Sequence, residues 1–556
     1  MLRLALIPLA LIAMLLAAML WSGTAAEAPA DLRWINAGDP KTLDPGQMTW
    51  GQDIRLANGL WEGLYRFDST TMEPQLGVAQ RVDISNDRTI YTFHLRPDAR
   101  WSNGDPVTAH DFVFAWRRVL EQNGGYTSLM YYIDGAQEYA EALRTVKSPD
   151  DPRPDFAAVG ISAVDDKTFR VRLKHPVPFF PDLCAFPTFF PLHRASIESY
   201  ISHDPTSGAI RIAQGFTKPP LVSNGPFVLS EWQYKRRLRL VKNPYYWDRD
   251  SVSLDIIDTI SADDGYAAFQ MYETGAVDWI ADVHPDIADK LKQSAREDFH
   301  IWTGFGTYYY EFLTTPSLPD GRPNPFADVR VRQAFAMAID KQVITRNIVT
   351  TGETPSDNYI PRGIFEGYPS PSGLAFNPQR ARQLLAEAGY PGGAGFPRVT
   401  LLYNSNAGHE RIAEYVRRQW LNHLGVEVAL DGVEVKIFGQ MKQQGNFHVC
   451  RASWIGDYAD PSTFTDKYLS VSDNNDARWH NPEYDRLCAA AAIESDPAKR
   501  LELLSQAESL LLNDAVVVPI YSYVNRVLHR PEITGLHPNP RNQQDFKRLG
   551  VARRAD

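Results

Sequence analysis

The sequence predicts an exported α/β protein built from more than one domain, and three observations carry that expectation. At 556 residues the chain exceeds what one hydrophobic core organises. Strand-like and helix-like periodicities alternate along it, separated by Pro/Gly turns. Beyond residue 26 no apolar run approaches the length needed to span a bilayer. The 67 acidic and 57 basic side chains give a formal charge of -10 without long blocks of one sign. Such a surface excludes nucleic acid as the partner and argues against a basic membrane-surface protein.

The chain opens with Arg3, an apolar run from Leu4 to Trp21, and small residues ending at Ala25 and Ala26. This is the pattern of a secretory signal peptide over residues 1–26, cleaved after Ala26; an uncleaved N-terminal anchor through residues 4–21 is the competing reading. No cysteine follows the run, so a lipid-modified terminus is not expected. In "RTIYTFHLR", Tyr91, Phe93 and Leu95 alternate with Thr92, His94 and Arg96, which predicts a half-buried strand. "WSNG" turns the chain, Thr108 and Asp111 have the spacing of a capping box, and Phe112, Trp116, Val119 and Leu120 continue at helical spacing. "VSNGPFVLSEWQYKRRLRLVKNPYYW" alternates as a hairpin with an aromatic close. A helix is predicted from an N-cap at Asp328, with Ala334, Phe335, Ala338, Ile339 and Val343 on one side. "FNPQRARQLLAEAGY" is a complete small helix, capped by Asn377, opened by Pro378 and ended by Gly389. "VTLLYNS" and "VEVALDGVEV" are strand candidates. No internal repeat and no low-complexity linker marks a domain boundary.

Catalytic signatures are missing. No glycine-rich phosphate loop stands in a strand-to-helix context, and GxSxG, HExxH and CxxC do not occur. "GYPGGAGFP" follows a helix rather than opening one and reads as a loop. Cys184, Cys450 and Cys488 are too few and too scattered for a disulfide framework or a tetrahedral zinc site. A glycosidase-like carboxylate pair has no positive support in the sequence.

The order of blocks is more informative than any one of them. "DPKTLDP", "VAQRVDISNDRTIYTFHLRPDARWSNGDPVTAHDFVFAWRRVL", "SNGPFVLSEW", "KNPYYW", "YYYEF", "PFADVRVRQAFAMAID", "ARQLLAEAGYP" and "RASWIGDYADPSTF" resemble, in the same order, the oligopeptide-binding proteins of ABC importers, extracellular solute-binding proteins of family 5. The resemblance runs from about residue 33 to about 530. It implies a type II periplasmic binding protein fold: two lobes joined by a hinge, plus an additional domain. Carried onto this chain, domain I takes residues 27–51, 196–304 and 525–556, the extra domain II takes 52–195, and domain III takes 305–524. It implies a monomer in the periplasm that captures short peptides and delivers them to an inner-membrane ABC permease, with no cofactor, no metal and no catalysis. Murein peptide, nickel chelate or haem are alternative ligands of the same fold; an exported hydrolase and a chaperone-like scaffold are readings of other classes.

The resemblance also assigns candidate binding residues. Asp457 falls where relatives pair with the peptide's α-ammonium; the plain alternative is an Asp capping the following turn. Arg451, His409 and Lys442 fall at positions that serve the peptide carboxylate in relatives, and each has a structural alternative: an ion-pair partner, a polar helix start and a surface lysine. Tyr523 matches a tyrosine that bonds the peptide main chain, Trp454 an aromatic near its amino end, and Asp39, in the first block, a position beside the ligand. Four departures stand out. Pro40 occupies a place where relatives offer a backbone amide, Val435 replaces a pocket tryptophan, and Gln443 replaces a histidine. Gly306 and Ile455 stand where some members carry a disulfide.

Overall fold

The computed structural model describes residues 27–552 apart from 123, 406, 407 and 473. The expected export segment therefore lies outside the described residues. Among the described residues no helix is long and apolar enough to cross a membrane. The three cysteines are buried and free.

Most local expectations become elements for the reasons given. Ile90–Leu95 is a strand with Tyr91, Phe93 and Leu95 buried, lying second in a four-stranded antiparallel sheet with Ala79–Ile84, Thr168–Arg172 and Ile161–Asp165. The helix Ala109–Gln122 follows, with Phe112, Trp116, Val119 and Leu120 buried. Its start is half a capping box. The Asp111 carboxylate accepts from the Thr108 backbone N–H at 2.8 Å, but the Thr108 hydroxyl donates to the same carboxylate at 3.0 Å rather than accepting from the helix. Pro378–Glu387 is capped by Asn377, whose side chain accepts from the Arg380 N–H, and Gly389 takes the left-handed conformation that ends it.

One expectation changes. The run from Asp328 is two helices, Val329–Met337 and Lys341–Asn347, instead of one. Asp340 breaks it: its side chain accepts from the N–H groups of Gln342 and Val343, a local competitor to helix continuation. The second helix accordingly buries Ile344, and Val343 is only half-buried.

A single large sheet organises the molecule. Its main strands are β1 (Leu32–Ile35), β2 (Phe227–Gln233), β3 (Arg237–Lys242), β4 (Ile256–Ile260) and β5 (Trp279–Ile280), followed by β6 (Phe299–Phe312), β7 (Val399–Asn404), β8 (Val428–Val433), β9 (Val449–Ile455) and β10 (Val517–His529). They lie in the order β2-β3-β4-β1-β5-β10-β6-β9-β7-β8. β2 and β3 form the expected hairpin. β6 and β10 are the long central pair, and they are paired in two stretches. Residues 299–303 pair with 524–528 and residues 307–311 with 517–522, with the register broken between Thr303 and Thr307. On one side of the break β10 meets β5; on the other β6 meets β9.

The cores follow that division. Trp34, Trp61, Trp101, Trp116 and Trp279 belong to one buried cluster that joins β1–β5 to the four-stranded sheet. Beyond the break both faces of β6 are covered. Tyr308, Tyr310 and Phe312 enter a cluster with Phe335 and Trp420, whereas Tyr309 enters another with Phe464 and Trp479. Burial of a phenylalanine such as Phe312, Phe335 or Phe464 contributes about 1.5–3 kcal/mol. Glycine is required where the backbones cross closely: a Cβ on Gly304 would lie 2.8 Å from the Tyr523 carbonyl oxygen, and one on Gly306 2.5 Å from that of Trp454.

Candidate functional site

Two poles of unlike charge flank the strand β9 and the turn after it. The first is Arg451, which stands opposite Tyr310 in the β6/β9 pair. Its guanidinium lies 4.8 Å over the Tyr308 ring, donates to the Tyr523 hydroxyl at 2.9 Å and reaches Asn404 Oδ1 at 3.5 Å. These partners are all neutral, and Nε is buried without a partner. Among the described residues no carboxylate pairs with this cation. A half-buried arginine held by phenols and an amide is poised for an anion brought from outside.

His409 joins this pole. It opens the helix His409–Leu424 after Gly408, and its ring lies 5.5 Å from that of Tyr308. Burial, and then the Arg451 charge, push its imidazole down to about 4. The expected cation is thus a neutral imidazole at neutral pH while no anion is bound. A carboxylate placed beside His409 and Arg451 offsets the Arg451 charge and favours the protonated ring, while burial continues to oppose it. Beside this pole a cleft of ≈ 440 Å³ is lined by His409, Tyr521, Tyr523 and Arg526 on one side and by Tyr266 and Lys290 on the other.

The second pole is Asp457. Its backbone N–H donates to the Thr463 hydroxyl at 2.9 Å, so the turn is fixed through the main chain and the carboxylate remains available. That side chain accepts from the Tyr126 hydroxyl. Burial pushes the carboxyl up to about 6, against the opposing pull of the Tyr126 hydrogen bond and of Arg541. A desolvated carboxylate with one phenol partner is a site for a cation.

The remaining candidates are not brought to these poles. Lys442 is tied at 2.8 Å to Glu311 and at 3.1 Å to Asp476. Because side chains alternate along β6, Glu311 faces away from the Tyr308 side on which Arg451 lies. The Lys442 ammonium is therefore neither a surface group nor part of the Arg451 cluster. Asp39 is consumed by the β2/β3 hairpin: it accepts from Trp232 Nε1, the Lys235 N–H and the Ser261 hydroxyl. Trp454 donates its indole N–H to the Thr463 carbonyl at 2.7 Å and packs beside Lys467, on the way to the Asp457 turn. Val435 is 59% exposed at the start of its helix, and Gly306 faces Ile455 across the β6/β9 pair.

Sequence reasoning missed the groups that complete each pole. Tyr308 and Asn404 hold Arg451, and Tyr126 reaches Asp457 from a part of the chain remote in sequence. "YYYEF" does contain Tyr308, but nothing local tells which of the three tyrosines shares a face with Arg451.

A two-lobed molecule with a long-strand crossing and a cleft bearing charges of both signs has the make-up of a solute-binding protein, and comparison with known proteins names the family. The sequence profile of the bacterial extracellular solute-binding proteins, family 5, matches residues 73–476, and the chain belongs to that family. It is 33% identical over 525 residues to the periplasmic murein peptide-binding protein MppA of Escherichia coli, covering 92% of this chain and 91% of that protein. It is 30% identical over 509 residues to the oligopeptide-binding protein OppA of Bacillus subtilis, covering 90% and 88%. Among solved structures it superposes on the E. coli murein tripeptide-binding protein MppA with a TM-score of 0.76, 32% identity, and 95% and 99% of the two chains. The complex of Haemophilus influenzae OppA with the peptide RPPGFSPFR gives 0.73, 29% identity, and 94% and 99%.

Proposed function

We propose that this protein captures short peptides between its two lobes in the periplasm and hands them, unchanged, to an inner-membrane ABC permease. The observation that carries the reading is the pair of poles: a desolvated carboxylate, Asp457, and an arginine without a carboxylate partner, Arg451, on one strand and its turn. A peptide is the ligand with an ammonium at one end and a carboxylate at the other. The poles are six positions apart in the chain, so their α-carbons lie at most about 20 Å apart, the scale of a short extended peptide. Side chains are not read by either pole, and hydrated pockets accept them. The identity to both oligopeptide- and murein peptide-binding relatives supports a peptide ligand and favours neither source.

The assignment extends to the architecture. The lobes are domains I (27–51, 196–304, 525–556) and III (305–524), with domain II (52–195) beside them, and the hinge is the register break in β6/β10. The protein acts as a monomer, and residues 1–26 direct its export.

Native mass spectrometry of residues 27–556, purified without denaturation, tests the reading. The expected result is a ladder of adducts that fragment as two- to five-residue peptides. Free-amine and N-acetylated tripeptides binding with equal affinity would overturn it, as would turnover of a bound peptide.

A further inference from the structure

We infer that Asp182 and Arg541 are positioning residues for the anchor: a buried ion pair, supplied from outside domain III, that holds the Asp457 turn in place and fixes the electrostatic field in which it works. This rests on the peptide reading above. The turn is pinned on both sides of Asp457. Before it, the Gly456 N–H donates to the Phe305 carbonyl at 2.8 Å. After it, the Ala459 N–H donates to Asp182 Oδ2 at 2.9 Å. The same oxygen accepts from Arg541 Nη2 at 2.8 Å. Both partners are almost wholly buried, with 6% of the Arg541 side chain and 5% of that of Asp182 exposed.

Arg541 is itself held in a slot. Its guanidinium lies 4.4 Å from the centre of the Phe67 ring and 5.4 Å from that of Phe305, whose backbone carries the other pin. Three separate stretches of chain thus meet at one carboxylate: the helix Phe180–Leu183 with Asp182, the C-terminal segment with Arg541, and the turn with Ala459. Asp182 Oδ1 and Arg541 Nη1 are buried without partners, so the pair is not saturated by its own contacts. The titratable and charged groups that face this junction are Tyr126, Tyr359 and Arg541 toward Asp457, and Asp460, itself paired with Arg500, toward Asp182. Arg500 is taken up by Asp460, and Arg541 is the cation that acts to keep Asp457 ionised against burial. Asp182 tempers it, so that the arginine does not take the place of the ligand's ammonium.

The test compares wild type with Arg541→Gln, Asp182→Asn and Arg541→Lys, using a free-amine tripeptide and its N-acetylated form from pH 4 to pH 8. In wild type the free-amine preference appears as Asp457 ionises. Arg541→Gln is expected to move that midpoint up by about one pH unit, with roughly a fivefold loss of free-amine preference at the wild-type midpoint, and Asp182→Asn to move it down by a similar amount, with the preference lowered at saturation because the unpaired arginine competes with the ligand's ammonium. Arg541→Lys, which keeps the charge, is expected to hold the midpoint. A merely structural role gives equal losses for both peptides, no midpoint shift and no rescue by lysine, and overturns the inference. Should Arg541→Gln not fold, the downward shift in Asp182→Asn and the unmoved midpoint in Arg541→Lys decide the same question. A wild type indifferent to acetylation would overturn the anchor reading and this role with it; a discriminating wild type with unshifted variants overturns this role alone.

Discussion

At the scale of single residues, the site is made of charges that the fold leaves incompletely answered. Asp457 is the clearest. Losing one partner of an enclosed charge pair costs about 3–5 kcal/mol, so Asp457→Asn is expected to weaken free-amine tripeptides by roughly 100- to 5,000-fold in calorimetric titration, while N-acetylated peptides change little. The pH dependence follows from its carboxyl standing at about 6 instead of 3.8. Ligand needs the ionised form, so affinity is expected to fall about tenfold per pH unit below about 6. Stability of the empty protein runs the other way. A raised folded-state pKa favours folding fully below the unfolded value, and that contribution is lost as pH rises through about 6. Asp457→Asn, which never ionises, is therefore expected to melt at or above the wild-type temperature at pH 8 and to show no such gain near pH 4. A variant that melts well below wild type at pH 8 would mean that Asp457 is structural.

At the scale of elements, the strand β9 separates two uses of charge by the alternation of its side chains. Arg451 faces the cleft, and the neighbouring face carries the buried set Glu311, Lys442, Lys467 and Asp476. Burial alone would raise Glu311, but Lys442 and then Lys467 hold it down to about 2. The folded-state pKa is depressed, so this contribution is present above about 4.5 and lost as pH falls toward about 2. Lys442→Met leaves Glu311 buried with its main partner gone, and is expected to cost about 3–5 kcal/mol of stability in denaturant unfolding at neutral pH, less below pH 4, with tripeptide affinity unchanged in the folded protein. Unchanged stability with lost binding would return Lys442 to the ligand site. This is also where sequence and structure part. Periodicity was enough for Ile90–Leu95, for Pro378–Glu387 and for the β2/β3 hairpin, because each is decided by neighbours in sequence. Position in a family block singled out Arg451, Asp457 and Tyr523 as candidates, yet it could not say that Lys442 had a carboxylate waiting across the sheet or that Asp39 was bound to the Trp232 and Lys235 donors. Those facts depend on which strands pair and in what register. The Asp340 break was legible in principle: an Asp followed by two free N–H groups is an N-cap wherever it falls.

At the scale of the whole molecule, the two poles lie on one strand and its turn, but the groups that complete Asp457 come from elsewhere in the fold: Tyr126 at its carboxylate, and Asp182 with Arg541 at its turn. With the hinge proposed at the register break in β6/β10, affinity is expected to depend on how the lobes meet. Gly304 sits in the register break with its α-carbon facing the carbonyl of Tyr523, the residue that also holds Arg451. A Cβ there would stand 2.8 Å from that oxygen, closer than side-chain carbons approach a backbone atom without displacing it. Gly304→Val is expected to push β6 from β10 at the break and hinder closure. Small-angle scattering should show wild type compacting at saturating tripeptide and the variant remaining expanded. Calorimetry should show affinity falling at least about tenfold for free-amine peptides, with the ratio of free-amine to N-acetylated binding reduced as well, because Tyr126, Asp182 and Arg541 come to Asp457 and its turn from outside its own stretch of chain. A variant that compacts like wild type would show that the break in β6/β10 is not where the lobes turn. A wild type that does not compact at saturation would show that capture proceeds without closure.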